Sequence, residues 1–202
     1  MSHDPLKLLR RDKTLAIALS NFKFEKRKRE ENIALYLCLS IISQQLSTRV
    51  ARVICDRFLD LFTGHEPNCA AILRIEKDTL RSIGLSESKC NYIHNVCDFF
   101  MQQKLSDEKL HDMSNEEVSE TLIQIKGVGN WTIQMLLMFA MAREDVFAPD
   151  DLGIQKAMAR LYKLEGITTK ELKQRMLDIS AQWKPFRTYA CLALWSWKDG
   201  GN

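Results

Sequence analysis

Two aspartates follow a proline near residue 150, in a setting that suits chemistry. Pro149-Asp150-Asp151 precedes a segment whose apolar residues have helical spacing, so these carboxylates fall at the start of a helix. Amide groups and the helix dipole favour an anion there, and a carboxylate can stabilise a developing positive charge or orient a water molecule. A plain helix cap is the alternative use of either aspartate. Both uses stay open on these residues alone.

A glycine turn lies upstream of the aspartates, in the segment 125–132 (IKGVGNWT). Gly127 and Gly129 flank Val128, which allows a sharp turn with positive φ while the valine packs into the core. The backbone N–H groups that open the next helix can then bind a phosphate without reading base sequence. An ordinary helix end with a turn would show the same glycine pattern. The context of the turn has to separate the two interpretations.

Helices must position these features, because apolar residues elsewhere recur at helical rather than alternating spacing. Only four prolines and eight glycines interrupt the 202 residues, and the chain is predicted to be all-α. Apolar residues cover nearly every side of the segment 31–46, which predicts a buried central helix. Ser47 and Ser86 are predicted to cap the next long helices. Three more helices are predicted over 115–125, over 131–141, and from position 150 or 151 to 162.

Composition excludes several classes of protein. Hydrophobic residues make up 46% and charged residues 27%, as in soluble globular domains, and no apolar stretch approaches the roughly 20 residues of a membrane span. The segment 1–11 lacks the pattern of a secretory signal. Six cysteines without paired spacing and four scattered histidines argue against a metal site. A net charge of +3 is too small to imply a nucleic-acid partner by itself.

The glycine turn resembles a known motif when its flanks are included. The segment 122–132 (LIQIKGVGNWT) resembles the helix-hairpin-helix of the DNA glycosylase superfamily, and Asp151 lies 19 residues beyond Thr132, where that family has a catalytic aspartate. Further segments resemble the alkylation-repair branch, the 3-methyladenine DNA glycosylases of the bacterial inducible type. Those segments are 42–47, 83–86 together with Lys89, 146–151 and 183–190.

The resemblance implies a two-lobed helical fold with the active-site cleft between the lobes. It implies a single unit over residues 1–202, with the hairpin at about 116–142 and with segments 1–30 and 145–202 packing together. The branch's extra N-terminal β domain has no counterpart in the sequence upstream of residue 30.

The resemblance also implies the reaction. Family members that cut the DNA backbone carry a lysine at the position of Trp131, and an indole cannot form their Schiff base. The chain is therefore expected to be a monofunctional glycosylase that hydrolyses the N-glycosidic bond of alkylated purines in duplex DNA by base flipping and leaves an abasic site. Asp151 is assigned the catalysis and Asp150 a capping or structural role. No iron–sulfur cluster is expected, because only Cys191 lies beyond residue 97.

Three further sets of site residues follow from the resemblance. A lesion pocket would attract a cationic methylated base through aromatic rings, with Trp131, Trp195 and Met135 as candidates. DNA contacts would come from the hairpin and from the glutamine–leucine turn that wedges into the duplex, namely Lys126, Gly127, Val128, Gly129, Thr132, Gln45 and Leu46. The carbonyls of Ile123, Ile125 and Val128 would hold a monovalent cation, Na⁺ or K⁺. Leu46 could instead be a core anchor that ends its helix.

The expected partner is double-stranded DNA with damaged bases. The protein is expected to bind this DNA as a monomer and to have no membrane partner. The expected location is the cytoplasm of a bacterium or the nucleus of a eukaryote. Three alternatives remain open at the level of sequence. They are a non-catalytic helix-hairpin-helix DNA-binding module, a glycosylase or lyase for another base lesion, and a helical scaffold that no longer contacts DNA.

Overall fold

The structure is a computed structural model that describes residues 4–23, 25 and 27–200. Every regular element within those residues is a helix, as the spacing of apolar residues predicts. The α-helices in chain order are α1 (Pro5–Leu9), α2 (Leu15–Ala18), α3 (Ile33–Ser43), α4 (Thr48–Leu59), α5 (Cys69–Leu73), α6 (Lys77–Ser82), α7 (Glu87–Gln102), α8 (Asp107–Asp112), α9 (Asn115–Leu122), α10 (Asn130–Met135), α11 (Leu152–Leu161), α12 (Thr169–Ser180) and α13 (Arg187–Asp199). A π-helical turn (Leu136–Ala140) continues α10, and a 3₁₀ turn (Ala181–Trp183) follows α12.

The helices divide into two compact units. The central unit is Arg29–Met141 and contains α3 to α10 with the π-helical turn. The terminal unit takes the described residues of Met1–Lys28 and Ala142–Asn202, and it contains α1, α2 and α11 to α13. Among the described residues, no helix is both long and apolar enough to cross a membrane.

The central unit is built around α3, which is buried on several sides as predicted. Its buried residues include Ile33, Leu37 and Ile41, all with no exposed surface. The helix is shorter than the predicted 31–46, because Asn32 takes a left-handed conformation with φ of 67° and caps it through the N–H of Leu35. Such a cap satisfies one of the N–H groups that have no partner inside the helix.

Two predicted caps are confirmed at the helices that follow. Ser47 accepts a hydrogen bond from the N–H of Val50 at the start of α4, and Ser86 accepts one from Lys89 at the start of α7. The apolar residues of α4 are only partly buried. Val50 and Val53 lie 45% and 44% exposed, because the buried face of this helix consists of Ala51, Ile54 and Phe58.

The six cysteines carry no disulfide. Cys38, Cys90, Cys97 and Cys191 are buried, and Cys55 and Cys69 are half-buried. The buried ones pack as small apolar side chains.

Asp12 connects the N-terminal helices of the terminal unit to its C-terminal part. One carboxylate oxygen accepts hydrogen bonds from the Tyr162 hydroxyl at 2.6 Å and from the indole Nε1 of the fully buried Trp183 at 3.0 Å. Burial alone would raise the pKa of Asp12, but the donated hydrogen bonds outweigh it and lower the pKa below the ordinary 3.8. The ionised carboxylate is therefore the form that the fold stabilises.

Asp12→Ala is expected to lower the free energy of unfolding by about 1–3 kcal/mol at pH 7, because the buried donors lose their acceptor. A lowered folded-state pKa adds stability that is present above the ordinary carboxyl pKa and is lost as the pH falls through the lowered value. The difference between wild type and variant should therefore narrow below about pH 4 in urea titrations. A difference that stays constant from neutral to acidic pH would contradict this role of the charge.

Candidate active site

The glycine turn of the central unit joins α9 to α10 through a left-handed glycine. Gly127 has φ of 109°, and a Cβ atom built on it would lie 2.6 Å from the Cβ of Tyr92. Both the backbone conformation and the close approach of the Tyr92 side chain therefore require glycine. Val128 is 5% exposed, and its N–H donates to the carbonyl of Ile125 at 3.0 Å. The turn thus buries its central valine while its glycines shape the backbone.

The outer face of this hairpin is open to solvent. Lys126, Gly129 and Asn130 are exposed, and Gly129 is the residue that opens α10. Asn95 of α7 donates from its Nδ2 to the carbonyl of Lys126 at 3.1 Å, which fixes the backbone of the turn. Thr132, by contrast, is only 3% exposed. Of the predicted hairpin contacts, Lys126 and Gly129 are thus accessible, whereas Val128 and Thr132 support the turn from inside.

The predicted cation ligands are three backbone carbonyls of the same hairpin, those of Ile123, Ile125 and Val128. Carbonyl oxygens suit a monovalent cation, and the Ile125 carbonyl keeps a second lone pair beside the hydrogen bond from Val128. The donor chemistry therefore fits the ion, and the assignment stays a prediction. Within the described part of the chain, no cluster of three His, Cys, Asp or Glu side chains could hold a metal.

The glutamine–leucine turn follows the end of α3. Gln45 is exposed and takes a left-handed conformation with φ of 59°, and Leu46 is half-buried. The side chain of Gln44 faces the hairpin instead. Its Nε2 lies 3.5 Å from the carbonyl of Gly127 and 3.4 Å from Oγ1 of Thr132. Gln44 therefore ties this turn to the hairpin, while Gln45 projects outward.

Lys89 of α7 holds the same turn from below. Its Nζ donates to the carbonyl of Ile42 at 2.8 Å and to that of Gln44 at 2.9 Å. These carbonyls belong to the last turn of α3 and its C-cap, where acceptors lack partners inside the helix. In the sequence, Lys89 is notable only as part of the family resemblance. The structure shows that it stabilises the backbone of the turn.

Lys89→Met is expected to destabilise the protein by about 1.5–3 kcal/mol, because two carbonyls lose a charged donor. Urea unfolding measures this effect. The matched control is Lys77→Met, which replaces an exposed lysine of the same unit and should change the free energy of unfolding by less than about 0.5 kcal/mol. Equal stability of the two variants would show that the clamp does not stabilise the turn.

A cavity of about 750 Å³ lies in the central unit beside this turn. Five residues predicted for the site line it together: Trp131, Thr132, Met135, Gln45 and Leu46. Trp131 is 43% exposed and Met135 is 8% exposed, so the indole lies at the surface and the thioether lies deeper. The volume falls within the usual range of small-molecule sites, roughly 300–1,000 Å³.

Several lining residues were missed by the sequence analysis. They come from α3 and from the π-helical turn: Tyr36, Leu39, Ser40, Ser43 and Phe139. Those on α3 follow a helical spacing of three or four residues, which marks one face of that helix. This signal was available in the sequence, but the apolar character all round α3 concealed it.

Asp151 lies in the terminal unit and opens α11. Its Oδ1 accepts a hydrogen bond from the N–H of Ile154 at 2.8 Å and another from Nε1 of Trp195 at 2.8 Å. The side chain is half-buried. Two donors on one oxygen fix the orientation of the carboxylate, which is the group suited to stabilise positive charge.

Of the two roles predicted for Asp150, capping is wrong, and a structural contact is what the fold shows. Asp151 is the N-cap of α11, since its extended backbone lets Oδ1 reach the third N–H of the helix. Asp150 lies one residue too early and instead forms an exposed ion pair with Lys173 of α12. The cap and the predicted catalytic group are therefore the same side chain.

Trp195 of α13 approaches Asp151 across Gly153, the second residue of α11. A Cβ atom on Gly153 would lie 2.9 Å from Oδ1 of Asp151 and 3.0 Å from both Cδ1 and Nε1 of Trp195. The predicted pocket residue Trp195 thus donates its indole N–H to the carboxylate. Gly153 was not singled out in the sequence, because a lone glycine near a helix start carries no specific signal.

The segment before Asp151 is anchored to the start of α13. Arg187 donates from Nε to Oδ1 of Asp145 at 2.6 Å and from Nη2 to its Oδ2 at 3.0 Å. The buried Thr188 hydroxyl accepts from the N–H of Val146 at 3.0 Å, and Gln155 donates to the carbonyl of Pro149 at 2.7 Å. This network holds the loop that carries Asp151 in one conformation.

Comparison with known proteins places the chain in a family. The profile described as HhH-GPD superfamily base excision DNA repair protein matches residues 38–182, which include the glycine turn and Asp151. The chain belongs to this family. The HhH-GPD match ends before Trp195, so the indole that contacts Asp151 lies outside it.

Individual named proteins are also similar to this chain. DNA-3-methyladenine glycosylase 1 of Schizosaccharomyces pombe is 34% identical over 161 residues, covering 79% of this chain and 69% of that protein. A Bacillus subtilis relative is 32% identical over 170 residues, but the chain spans only 58% of its length. The chain also spans 61% of the DNA-3-methyladenine glycosylase of Saccharomyces cerevisiae.

Two solved structures share the fold over nearly the whole chain. A DNA-3-methyladenine glycosidase from Bacillus halodurans matches with a TM-score of 0.85 and 29% identity, covering 98% of this chain and 90% of that one. The 3-methyladenine DNA glycosylase of S. pombe, in complex with abasic DNA, matches with a TM-score of 0.78 and 31% identity, covering 91% and 89%. The helix-hairpin-helix glycosylase fold predicted from the sequence is therefore confirmed.

Proposed function

We propose that the protein is a monofunctional DNA glycosylase that hydrolyses the N-glycosidic bond of alkylated purines, such as 3-methyladenine, in duplex DNA. The observation that carries the proposal is the fixed carboxylate of Asp151, which receives hydrogen bonds from Ile154 and Trp195 at the position where the family has its catalytic aspartate. The names of the relatives and the abasic DNA bound by the S. pombe enzyme support it.

The chemistry follows from the charge that develops on the sugar. When the C1′–N bond breaks, its electron pair leaves with the purine, and positive charge spreads over the deoxyribose. Asp151 stabilises that charge or orients the water molecule that attacks C1′. The water oxygen bonds to C1′ and gives up a proton to the Asp151 carboxylate or to solvent, and the products are the free base and an abasic site.

The lesion itself makes this reaction easier. A purine methylated at a ring nitrogen is cationic, and the departing electron pair neutralises it, so little acid assistance is needed. We assign selection of this base to the cavity of the central unit, where the indole of Trp131 is 43% exposed. An aromatic face attracts a cation placed over it. Met135 beside it shapes the range of bases that fit.

DNA is the proposed partner, and the hairpin is the proposed grip. Lys126, Gly129 and Asn130 are exposed, and a lysine together with the N–H groups of a helix start suits contact with a phosphate. Gln45 and Leu46 are assigned to the gap that a flipped nucleotide leaves. The reaction needs no cofactor, and the protein is proposed to act as a monomer in the cytoplasm of a bacterium or in a nucleus. A Na⁺ or K⁺ ion on the hairpin carbonyls would only assist the contact with phosphate.

The test is incubation of the protein with methylated duplex DNA, followed by chromatography of the released bases. Release of 3-methyladenine with an intact DNA backbone is the expected result. Borohydride should trap no covalent adduct, because Trp131 replaces the Schiff-base lysine of the lyases. Binding to DNA without release of any alkylpurine would overturn the proposal and leave a DNA-binding module.

A further inference from the structure

Gly153 is the second residue of α11 (Leu152–Leu161). Glycine loses more backbone freedom on folding than any other residue, so a glycine inside a helix calls for a reason. Gly153 is not among the glycines with positive φ, so backbone conformation does not require it. The reason for a glycine here must therefore come from its surroundings.

Gly153 lies beside the hydrogen bond that Trp195 donates to Asp151. A Cβ atom on Gly153 would lie 2.9 Å from Oδ1 of Asp151, the acceptor, and 3.0 Å from Nε1 of Trp195, the donor. It would also lie 3.0 Å from the indole Cδ1. These distances are shorter than ordinary carbon contacts, which are about 3.5–4.0 Å. A methyl group would push the indole and the carboxylate apart.

The carboxylate oxygen has two donors of different kinds. The backbone N–H of Ile154, at 2.8 Å, belongs to the same helix turn. The indole of Trp195, at 2.8 Å, belongs to α13 and passes beside Gly153 to reach Asp151. Loss of the indole contact would leave the cap in place but would remove one of the two donors that orient this oxygen of the carboxylate.

We propose that Gly153 is a positioning residue for base release. It provides the space in which the Trp195 indole orients the Asp151 carboxylate, and this inference rests on the proposed glycosylase function. The glycine would thus serve the chemistry. The prediction is a separation of two properties, since the substitution should impair base release much more than it affects DNA binding.

The first experiment compares Gly153→Ala with wild type on methylated duplex DNA under single-turnover conditions. We expect the rate of base release to fall about 10- to 100-fold, because misplacement of a catalytic group by about 1 Å has effects of that order. The affinity for DNA with an abasic-site analogue should change less than about threefold, and the free energy of unfolding should fall by no more than about 1–3 kcal/mol, the usual cost of an extra carbon at a packed site. Ala159→Ser is the matched control, because it also adds one heavy atom to α11. It lies six residues beyond Gly153, or roughly 9 Å along the helix axis, and should leave the rate of base release unchanged.

A double-mutant cycle tests the route of the effect. Trp195→Phe removes the indole N–H while keeping an aromatic ring, and alone it should slow base release by a similar factor. If Gly153 acts through Trp195, the double variant Gly153→Ala with Trp195→Phe should be no slower than the slower single variant. Multiplied effects in the double variant would overturn the inference, as would a wild-type rate in Gly153→Ala.

A readout that needs no activity separates this inference from the proposed function. The indole N–H signal of Trp195 in an ¹H–¹⁵N spectrum is assigned by its loss in Trp195→Phe. It should lie downfield in wild type because it donates to a carboxylate, and it should move upfield in Gly153→Ala. If wild type releases no alkylpurine, the proposed function fails while the spectrum still tests the contact. An unmoved signal overturns the role of Gly153 even in an active enzyme.

If Gly153→Ala does not fold, a wild-type rate in Trp195→Phe overturns the inference, and a slowed rate with unchanged affinity supports it.

Discussion

Asp151→Asn is expected to reduce the single-turnover rate of alkylpurine release by about 100- to 1,000-fold, the usual effect of removing one charge-stabilising group from an active site. The amide carries no negative charge to set against the sugar cation. It is also a weaker partner for the attacking water. Binding to abasic DNA is expected to remain, because the predicted DNA contacts belong to the central unit.

The substitution is informative because it should leave the fold intact. Asparagine caps helices as well as aspartate does, and its Oδ1 can still accept from Ile154 and Trp195. Alanine at the same position would add the loss of the cap, about 1 kcal/mol, and would mix stability with chemistry. A lost rate in Asp151→Asn with an unchanged unfolding midpoint would therefore report the charge alone.

Asp150→Asn is the matched control. Asp150 is the neighbouring acid, and its exposed ion pair with Lys173 contributes at most about 1 kcal/mol. The rate of base release in this variant should stay within about twofold of wild type, a change of under 0.5 kcal/mol in activation free energy. Chromatography of bases from methylated DNA and a gel-shift assay with abasic DNA measure the two properties. Release at the full rate by Asp151→Asn, with normal DNA binding, would show that Asp151 is not catalytic.

Gly127→Ala is expected to have the largest effect on stability, a loss of about 2–6 kcal/mol. The left-handed conformation, with φ of 109°, costs a residue with a Cβ atom roughly 1–3 kcal/mol. The contact with Tyr92 adds an overpacking cost of about 1–3 kcal/mol. The hairpin would have to shift away from α7, and the proposed phosphate grip would be distorted. Affinity for undamaged and abasic duplex DNA should fall together.

Gly129→Ala tests the same turn without either cost. Its φ is −106°, and no atom lies within 4 Å of the point that a Cβ atom would occupy. Alanine there should change the free energy of unfolding by less than about 1 kcal/mol. Urea denaturation of the two variants gives the comparison directly. Equal stability would mean that the left-handed turn and the Tyr92 contact do not constrain position 127.

Local features of this protein were readable from its sequence because their causes are local. The turn at Gly127 and Gly129 follows from what a residue without a side chain permits, and the caps at Ser47 and Ser86 follow from side chains that reach an N–H three residues away. The helical class followed from spacing alone. The family resemblance extended these local signals to a complete fold, which the comparisons confirm. The pocket, wedge and cation residues stay predictions.

Tertiary packing decided the rest, because it joins residues that are distant in sequence. Asp151 and Trp195 are 44 residues apart, and Lys89 lies 47 residues from Ile42, so no local pattern could pair them. The choice between Asp150 and Asp151 as the cap depended on the backbone angles at the start of α11. The sequence by itself determined the helices, the hairpin and the aspartate on which the chemistry is proposed to depend. Only the tertiary structure decided how that aspartate is oriented. The indole of Trp195 on α13 donates to it, and Gly153 on α11 has no side chain to block this contact.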